Sequence, residues 1–257
     1  MPSLIPTIVF VPGAWHEPTI FNDVRAELGN LKFPTVAIAN PSVGSTSQPL
    51  KNLTDDVSNL HSVIMELVNS GDMVVVVAHS YGGVVASGAA QDLAFAQRAA
   101  AGQKGGIIMM VYLAAFAIPA GETLLGAAGG VPPSWWEQEG DQIYANNPII
   151  SDPAYHFYND LPSNVQDYWI SRLLPLAAAD VTIPAIYEPW KDMPCTYVFT
   201  EQDNAIAPVV QQAMAAGMGK ITTATLNASH SPFLSMPNKV VEVIQQAAKE
   251  GVRVALG

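Results

Sequence analysis

This 257-residue sequence is poor in cysteine and in basic side chains. A single cysteine, Cys195, excludes an internal disulfide framework, and no CxxC or HExxH spacing suggests a metal. Cys195 reads as a small buried hydrophobe at the start of a strand. Lysine and arginine number 11 against 22 acidic residues, a formal net charge of -11. Without a basic stripe to neutralise phosphates, neither nucleic acid nor an anionic membrane is expected as a partner. Charged residues are only 13% and hydrophobic residues 49% of the chain, so much of the surface must be Ala, Gln, Asn and Ser. No apolar run approaches the roughly 18 residues of a transmembrane helix. The apolar stretch at 4–11 lacks a basic flank and is broken by Pro6 and Pro12, so no secretory signal is expected and a cytoplasmic location is the default. A chain of this length fits one α/β core carrying an insertion.

The stretch 72–85, DMVVVVAHSYGGVV, organises the rest. Four consecutive valines at 74–77 suit a strand buried on both faces of a parallel sheet. The run stops at Ala78-His79-Ser80-Tyr81-Gly82-Gly83, after which Val84, Val85, Gly88 and Ala89 recur at helical spacing. A serine in so tight a strand-to-helix turn is lifted above the sheet edge, with small residues needed two before and two after it. Gly82 satisfies one of those positions and Ala78 stands where glycine is usual at the other. Ser80 is therefore the candidate nucleophile.

Strands are expected at 7–11, 35–39, 74–77 and 107–115, with helices at 18–28 and over the apolar stripe Leu53, Val57, Leu60, Ile64, Leu67 and Val68. Residues 99–106 read as a small-residue connector. Four turns of strand and helix predict a doubly wound, mainly parallel six-stranded sheet. The alternation lapses over 118–194, where ten of the 21 aromatic residues and four of the five tryptophans lie. That segment reads as a mostly helical cap inserted into a core made of 1–117 and 195–257. Alternation resumes with strands at 196–200 and 221–226 and helices at 208–216 and 240–248.

Each late strand ends in chemistry-bearing residues: Glu201-Gln202-Asp203-Asn204 after the fifth, and Ser229-His230-Ser231 after the sixth. Ligands bind such sheets at the carboxyl ends of the strands. A serine, an acid and a histidine in that order supply a nucleophile, the group that orients the base, and the base. His230 is the candidate base, and Asp203 the candidate acid with Glu201 as competitor. The small-residue loop Pro12-Gly13-Ala14 after the first strand could offer a backbone amide to an oxyanion, with Tyr81 offering the second.

These residues resemble the α/β-hydrolase superfamily, in particular the small esterases acting on methyl salicylate and methyl jasmonate and the related hydroxynitrile lyases. Val11-Pro12-Gly13-Ala14 is similar to that family's oxyanion loop, Ala78-His79-Ser80-Tyr81-Gly82-Gly83 to its elbow, and Tyr112-Leu113-Ala114-Ala115-Phe116 to its strand into the cap. Thr200-Glu201-Gln202-Asp203, with Pro208 and Gln211 beyond, resembles its acid loop and favours Asp203; Ser229-His230 matches its histidine. The resemblance implies Ala14 and Tyr81 as the amide donors. The lyases carry a lysine after the histidine and a threonine in the oxyanion loop, whereas this chain has Ser231 and Gly13, which favours hydrolysis.

The expected function is that of a cofactor-independent carboxylic ester hydrolase acting on a small, largely apolar ester or lactone. Trp15, Phe116, Trp135 and Trp136 are its expected substrate-binding residues. Alternatives are a lyase or a C–C bond hydrolase on the same scaffold, and a small-molecule receptor with slow or no turnover. The reading leaves room for a homodimer.

Overall fold

The computed structural model describes residues 5–257; Leu4, the first residue of the apolar stretch at 4–11, lies outside them. In chain order the core opens with β1 (Thr7–Val11), a 3-10 turn (Pro18–Phe21), α1 (Asn22–Asn30), β2 (Thr35–Ala37), α2 (Leu53–Asn69) and β3 (Met73–His79). It continues with α3 (Gly82–Ala89), α4 (Phe95–Ala100) and β4 (Gly106–Leu113). The segment that follows carries α5 (Leu124–Ala127), β5 (Glu137–Glu139), β6 (Gln142–Tyr144), α6 (Pro153–Phe157), α7 (Ser163–Ile170) and β7 (Leu176–Ala177), with 3-10 turns at Ala178–Val181 and Pro189–Lys191. The core closes with β8 (Cys195–Thr200), α8 (Pro208–Gly217), β9 (Thr222–Leu226), α9 (Pro232–Ser235) and α10 (Pro237–Leu256).

Six strands form one parallel sheet in the order β2-β1-β3-β4-β8-β9. Successive side chains of a strand point to opposite faces, so one valine run supplies two cores. Val74 and Val76 join Val9 and Val11 against α2 and α3, while Val75 and Val77 join Ile8 and Phe10 against α1 and α10. A register shift in the pairing of β3 with β4 puts Ile108 and Met109 on the same face, thickening the core beneath α10. Helix α2 is started by a capping box between Asn52 and Asp55. It buries Leu53, Leu60, Ile64 and Val68, and also Asp56, on its inner side.

The boundaries depart from expectation where local geometry intervenes. The strand expected to reach residue 115 ends at Leu113 because Ala114 turns to φ 44°. The strand expected to reach 39 is assigned only to Ala37, although the Ile38 amide still donates to the Phe10 carbonyl at 3.0 Å. Pro18 opens a 3-10 turn before α1, and the expected connector overlaps α4. Between β4 and β8 the helices are short, and β5, β6 and β7 pair into a small antiparallel sheet that periodicity did not foretell. Cys195 is buried as the first residue of β8, and burial pushes its thiol upward. Among the described residues no helix is long and apolar enough to cross a membrane.

Candidate active site

Ser80 lies between the last residue of β3 and the first of α3, with φ 53°. For a residue with a Cβ this left-handed backbone costs about 1–2 kcal/mol, so its surroundings must hold it. Its carbonyl accepts from the amides of Gly83 and Phe116, both at 3.0 Å. Glycine at 82 is demanded by crowding: a Cβ there would lie 2.5 Å from the Pro12 carbonyl oxygen and 2.7 Å from that of Val11. At Gly13 it would lie 2.8 Å from Ser80 Cβ. The end of β1 and the turn after β3 are thus pressed together at one sheet edge.

The loops after β8 and β9 meet behind the serine. His230 Nδ1 lies 2.8 Å from Asp203 Oδ2, and both side chains are buried. Because a carboxylate can only accept, Nδ1 carries the hydrogen, which leaves Nε2 free as a base. Asp203 is itself over-determined: Oδ2 also accepts from Thr200 Oγ1 at 2.9 Å and Gln211 Nε2 at 3.0 Å, and Oδ1 from the amides of Ala205 and Ile206 at 2.8 Å. Glu201, the competing acid, is exposed. His79 donates from Nε2 to the His230 carbonyl at 2.9 Å. Burial, reinforced by nearby His230, holds His79 well below the usual imidazole range, so it stays neutral.

The segment between β4 and β8 clamps these loops from above. Asp160 accepts from the Ser229 amide at 2.9 Å, Asn159 donates to the Gln202 carbonyl at 3.0 Å, and Asn204 donates to the Tyr155 carbonyl at 3.0 Å. On the opposite side Ala14 and Trp15 follow β1, with Trp15 at φ 65°. Among the described residues, neither the Ala14 amide nor the Tyr81 amide donates to a protein acceptor. Both residues line the same cavity.

Ser80 and His230 line one cavity together with Ala14, Trp15, Tyr81, Phe116, Trp135 and Trp136, so every expected site residue except Asp203, which stands behind His230, faces the same space. The empty volume is about 440 Å³, part of it open to solvent. Leu124, Phe157, Leu176, Val181 and Ile206 complete an apolar wall that had no distinguishing signal in the sequence. Trp15 packs against Trp135 and Phe157 with ring centroids 5.5 and 5.7 Å apart, and its indole N–H is spent on the Ile143 carbonyl. Among the described residues no lysine or arginine lines the cavity. Arg172 pairs instead with Glu17 and Lys191 with Glu188, both partly exposed.

Beneath Tyr81 lies a buried pair of carboxyl groups. Asp56 accepts from the Ser42 amide at 2.8 Å, the Ser42 hydroxyl at 2.6 Å and the Tyr81 hydroxyl at 2.7 Å. Asp180, from the inserted segment, is fully buried close to Ser42, Leu53 and Tyr81, and among the described residues no donor reaches its oxygens in good hydrogen-bond geometry. Burial, opposed by Ser42 and more weakly by the Leu53 amide and Tyr81 but reinforced by Asp56, pushes Asp180 up to about 7. Burial also raises Asp56 above the ordinary carboxylate value, against the opposing pull of its donors.

The alpha/beta hydrolase family model matches residues 8–243. Over 255 residues the chain is 32% identical to the alpha/beta hydrolase nvfD of Aspergillus novofumigatus, covering 98% of this chain and 100% of that protein. Among solved structures it resembles a polyneuridine aldehyde esterase variant, with a TM-score of 0.74 at 14% identity over 94% of this chain and 98% of that one. It also resembles a methylesterase from Arabidopsis, with a TM-score of 0.71 at 21% identity over 95% and 99%. The parallel sheet, the strained serine turn after β3 and a sequence match running from the first strand into the last helix agree: the chain belongs to the alpha/beta hydrolase family.

Proposed function

We propose that this hydrolase is a cofactor-independent serine esterase whose substrate is a small, neutral, largely apolar carboxylic ester or lactone. The observation that carries the reading is the convergence of Ser80, on its strained turn, with a His230 whose Nδ1 hydrogen is committed to a five-times-bonded Asp203. Ser80 Oγ attacks the carbonyl carbon as His230 Nε2 takes the hydroxyl proton. The carbonyl π bond opens and its oxygen, now negative, is received by the amides of Ala14 and Tyr81. Collapse expels the alkoxide, which takes the proton from His230 and leaves as the alcohol. A water deprotonated by the same imidazole then attacks the acyl-enzyme, and the acid departs with Ser80 restored.

The substrate class follows from the walls. With no cation in the cavity, a carboxylate or phosphate on the substrate would lose its hydration without a counter-charge. Apolar surface gains instead. Each added methylene of the acyl chain is worth about 0.8 kcal/mol, close to fourfold in kcat/KM, until the space is filled. The test is kcat/KM for p-nitrophenyl esters from acetate to octanoate beside a succinate monoester of matched size. A rise with acyl length followed by a plateau, with the charged ester disfavoured, is expected. A flat series or a preference for the charged ester overturns the proposed substrate class.

A further inference from the structure

We propose that His16 and Tyr158 are positioning residues: they relay the seating of the inserted segment to the Ala14 amide, so that the oxyanion-binding loop is aligned only while that segment is in place. This rests on the esterase reading above, in which Ala14 supplies one of the two amides.

The loop leaves β1 at Val11 and is bonded to the inserted segment residue by residue. The Leu174 amide donates to the Trp15 carbonyl at 2.9 Å, Trp15 Nε1 donates to the Ile143 carbonyl at 2.9 Å, and Glu17 pairs with Arg172 at 2.7 Å. On the core side, among the described residues, one hydrogen bond reaches back, from the Asn40 amide group to the Pro12 carbonyl at 3.0 Å, while Gly13 packs against Ser80 and His79. The bulky Trp15 holds φ 65°, a conformation that persists where neighbours over-determine it, and here those neighbours belong to the segment.

His16 sits at the centre of this arrangement, buried between the loop and the segment. Its Nδ1 lies 2.6 Å from the Ala14 carbonyl oxygen and its Nε2 lies 2.7 Å from the Tyr158 hydroxyl. A carbonyl can only accept, so Nδ1 carries the hydrogen; a neutral ring then has its lone pair at Nε2, and Tyr158 must be the donor. Burial enforces both assignments, holding His16 down at about 4 and raising the Tyr158 phenol above its ordinary value. The chain of hydrogens therefore runs in one direction, from the Tyr158 phenol through the imidazole to the Ala14 carbonyl. The rings of Phe157, 5.5 Å from that of His16, and of His79 at the end of β3, 6.3 Å away, pack against it. Removing the Tyr158 hydroxyl leaves a buried ring nitrogen unpaired and releases the ring that holds the Ala14 carbonyl.

The experiment compares wild type with Tyr158→Phe and His16→Asn, and with Tyr168→Phe as a control that removes an exposed hydroxyl elsewhere on the same segment. Steady-state constants on a p-nitrophenyl ester are measured with affinity for an alkyl trifluoromethyl ketone, which forms an oxyanion at the serine, and for the matched alkyl alcohol, which does not. Thermal melting reports folding. Tyr158→Phe is expected to lower kcat about 10- to 100-fold, less than loss of a whole oxyanion donor, with KM within twofold. It should weaken the ketone by the same factor and leave the alcohol and the control variant unchanged. His16→Asn should be at least as impaired. If wild type shows no ester turnover and no ketone binding, the esterase reading fails and the proposal with it. If wild type is active and Tyr158→Phe keeps its kcat and ketone affinity, or loses ketone and alcohol equally, the relay is overturned and the esterase reading stands. A variant that fails to melt cooperatively is replaced by wild type carrying fluorotyrosine at 158, whose more acidic hydroxyl is a stronger donor and a weaker acceptor; full activity is then expected, and a loss overturns the relay.

Discussion

Replacing Asp180 by asparagine keeps the shape of the side chain and removes its charge, and the consequence for folding can be worked from the carboxyl's position. The group has an ordinary value of 3.8 and is held at about 7 in the folded protein by burial and by the adjacent Asp56. Below pH 3.8 it is protonated in both states. Between 3.8 and 7 the unfolded chain releases the proton and the folded one keeps it, so the unfolded state binds fewer protons and stability falls as pH rises. At about 1.4 kcal/mol per tenfold, the loss attributable to Asp180 accumulates to ~4 kcal/mol and levels off above pH 7. The buried His16 and His79 act with the opposite sign: both are held below 6.5, so their contribution is present above that value and is lost as pH falls. They are common to both proteins and cancel in the difference. Urea unfolding of wild type and Asp180→Asn at half-unit steps from pH 4.5 to 8.5, at fixed salt, gives that difference directly. The variant should gain about 3–4 kcal/mol on wild type across the range, most of it below pH 7. Parallel stability profiles, differing by less than about 1 kcal/mol in slope across the range, would refute the buried-proton argument.

Asp203→Asn should lower kcat by about 10⁴-fold by presenting the wrong tautomer of His230, whereas Glu201→Gln should change it less than about twofold; the reverse ordering in steady-state assays would make Glu201 the orienting acid. Gly82→Ala forces a methyl group into the carbonyls of Val11 and Pro12. It should therefore destabilise by more than the roughly 0.4–1 kcal/mol that Gly-to-Ala changes contribute at unstrained sites and impair turnover, and a variant with wild-type melting and activity would show that the loop can retreat.

The parts of the site most legible in the sequence were those whose chemistry and local geometry coincide. The valine run that stops at Ser80 and the acid and histidine that each follow a strand are short-range patterns. The fold placed them at one sheet edge because parallel strands end together. Of the aromatic residues crowded into 118–194, Trp135, Trp136 and Phe157 line the cavity, where they meet Trp15 and Phe116 from outside that segment. What was hidden depends on partners distant along the chain. The contact between His16 and Tyr158 spans 142 positions, and that between His79 and the His230 carbonyl spans 151. Asp56 lies in an amphipathic helix where an acid ordinarily marks the solvent side, and only its donors Ser42 and Tyr81 explain its burial. The antiparallel sheet of β5, β6 and β7 left no trace, because strands of two or three residues such as Glu137–Glu139 are too short to display a period.

The central claim is that Ser80 is the nucleophile, and a stable covalent adduct tests it most directly. Diethyl p-nitrophenyl phosphate reacts with an activated serine by forming the Oγ–P bond and expelling p-nitrophenolate, while the hydroxyl proton passes to the imidazole. Intact-mass measurement and peptide mapping should find one diethylphosphoryl group per chain, on Ser80, with ester hydrolysis lost in proportion to labelling. Ser80→Ala should take up no label and turn over esters about three to six orders of magnitude more slowly while melting as wild type does. Stoichiometric labelling at another residue, or an alanine variant that keeps a tenth of wild-type turnover, would contradict the account.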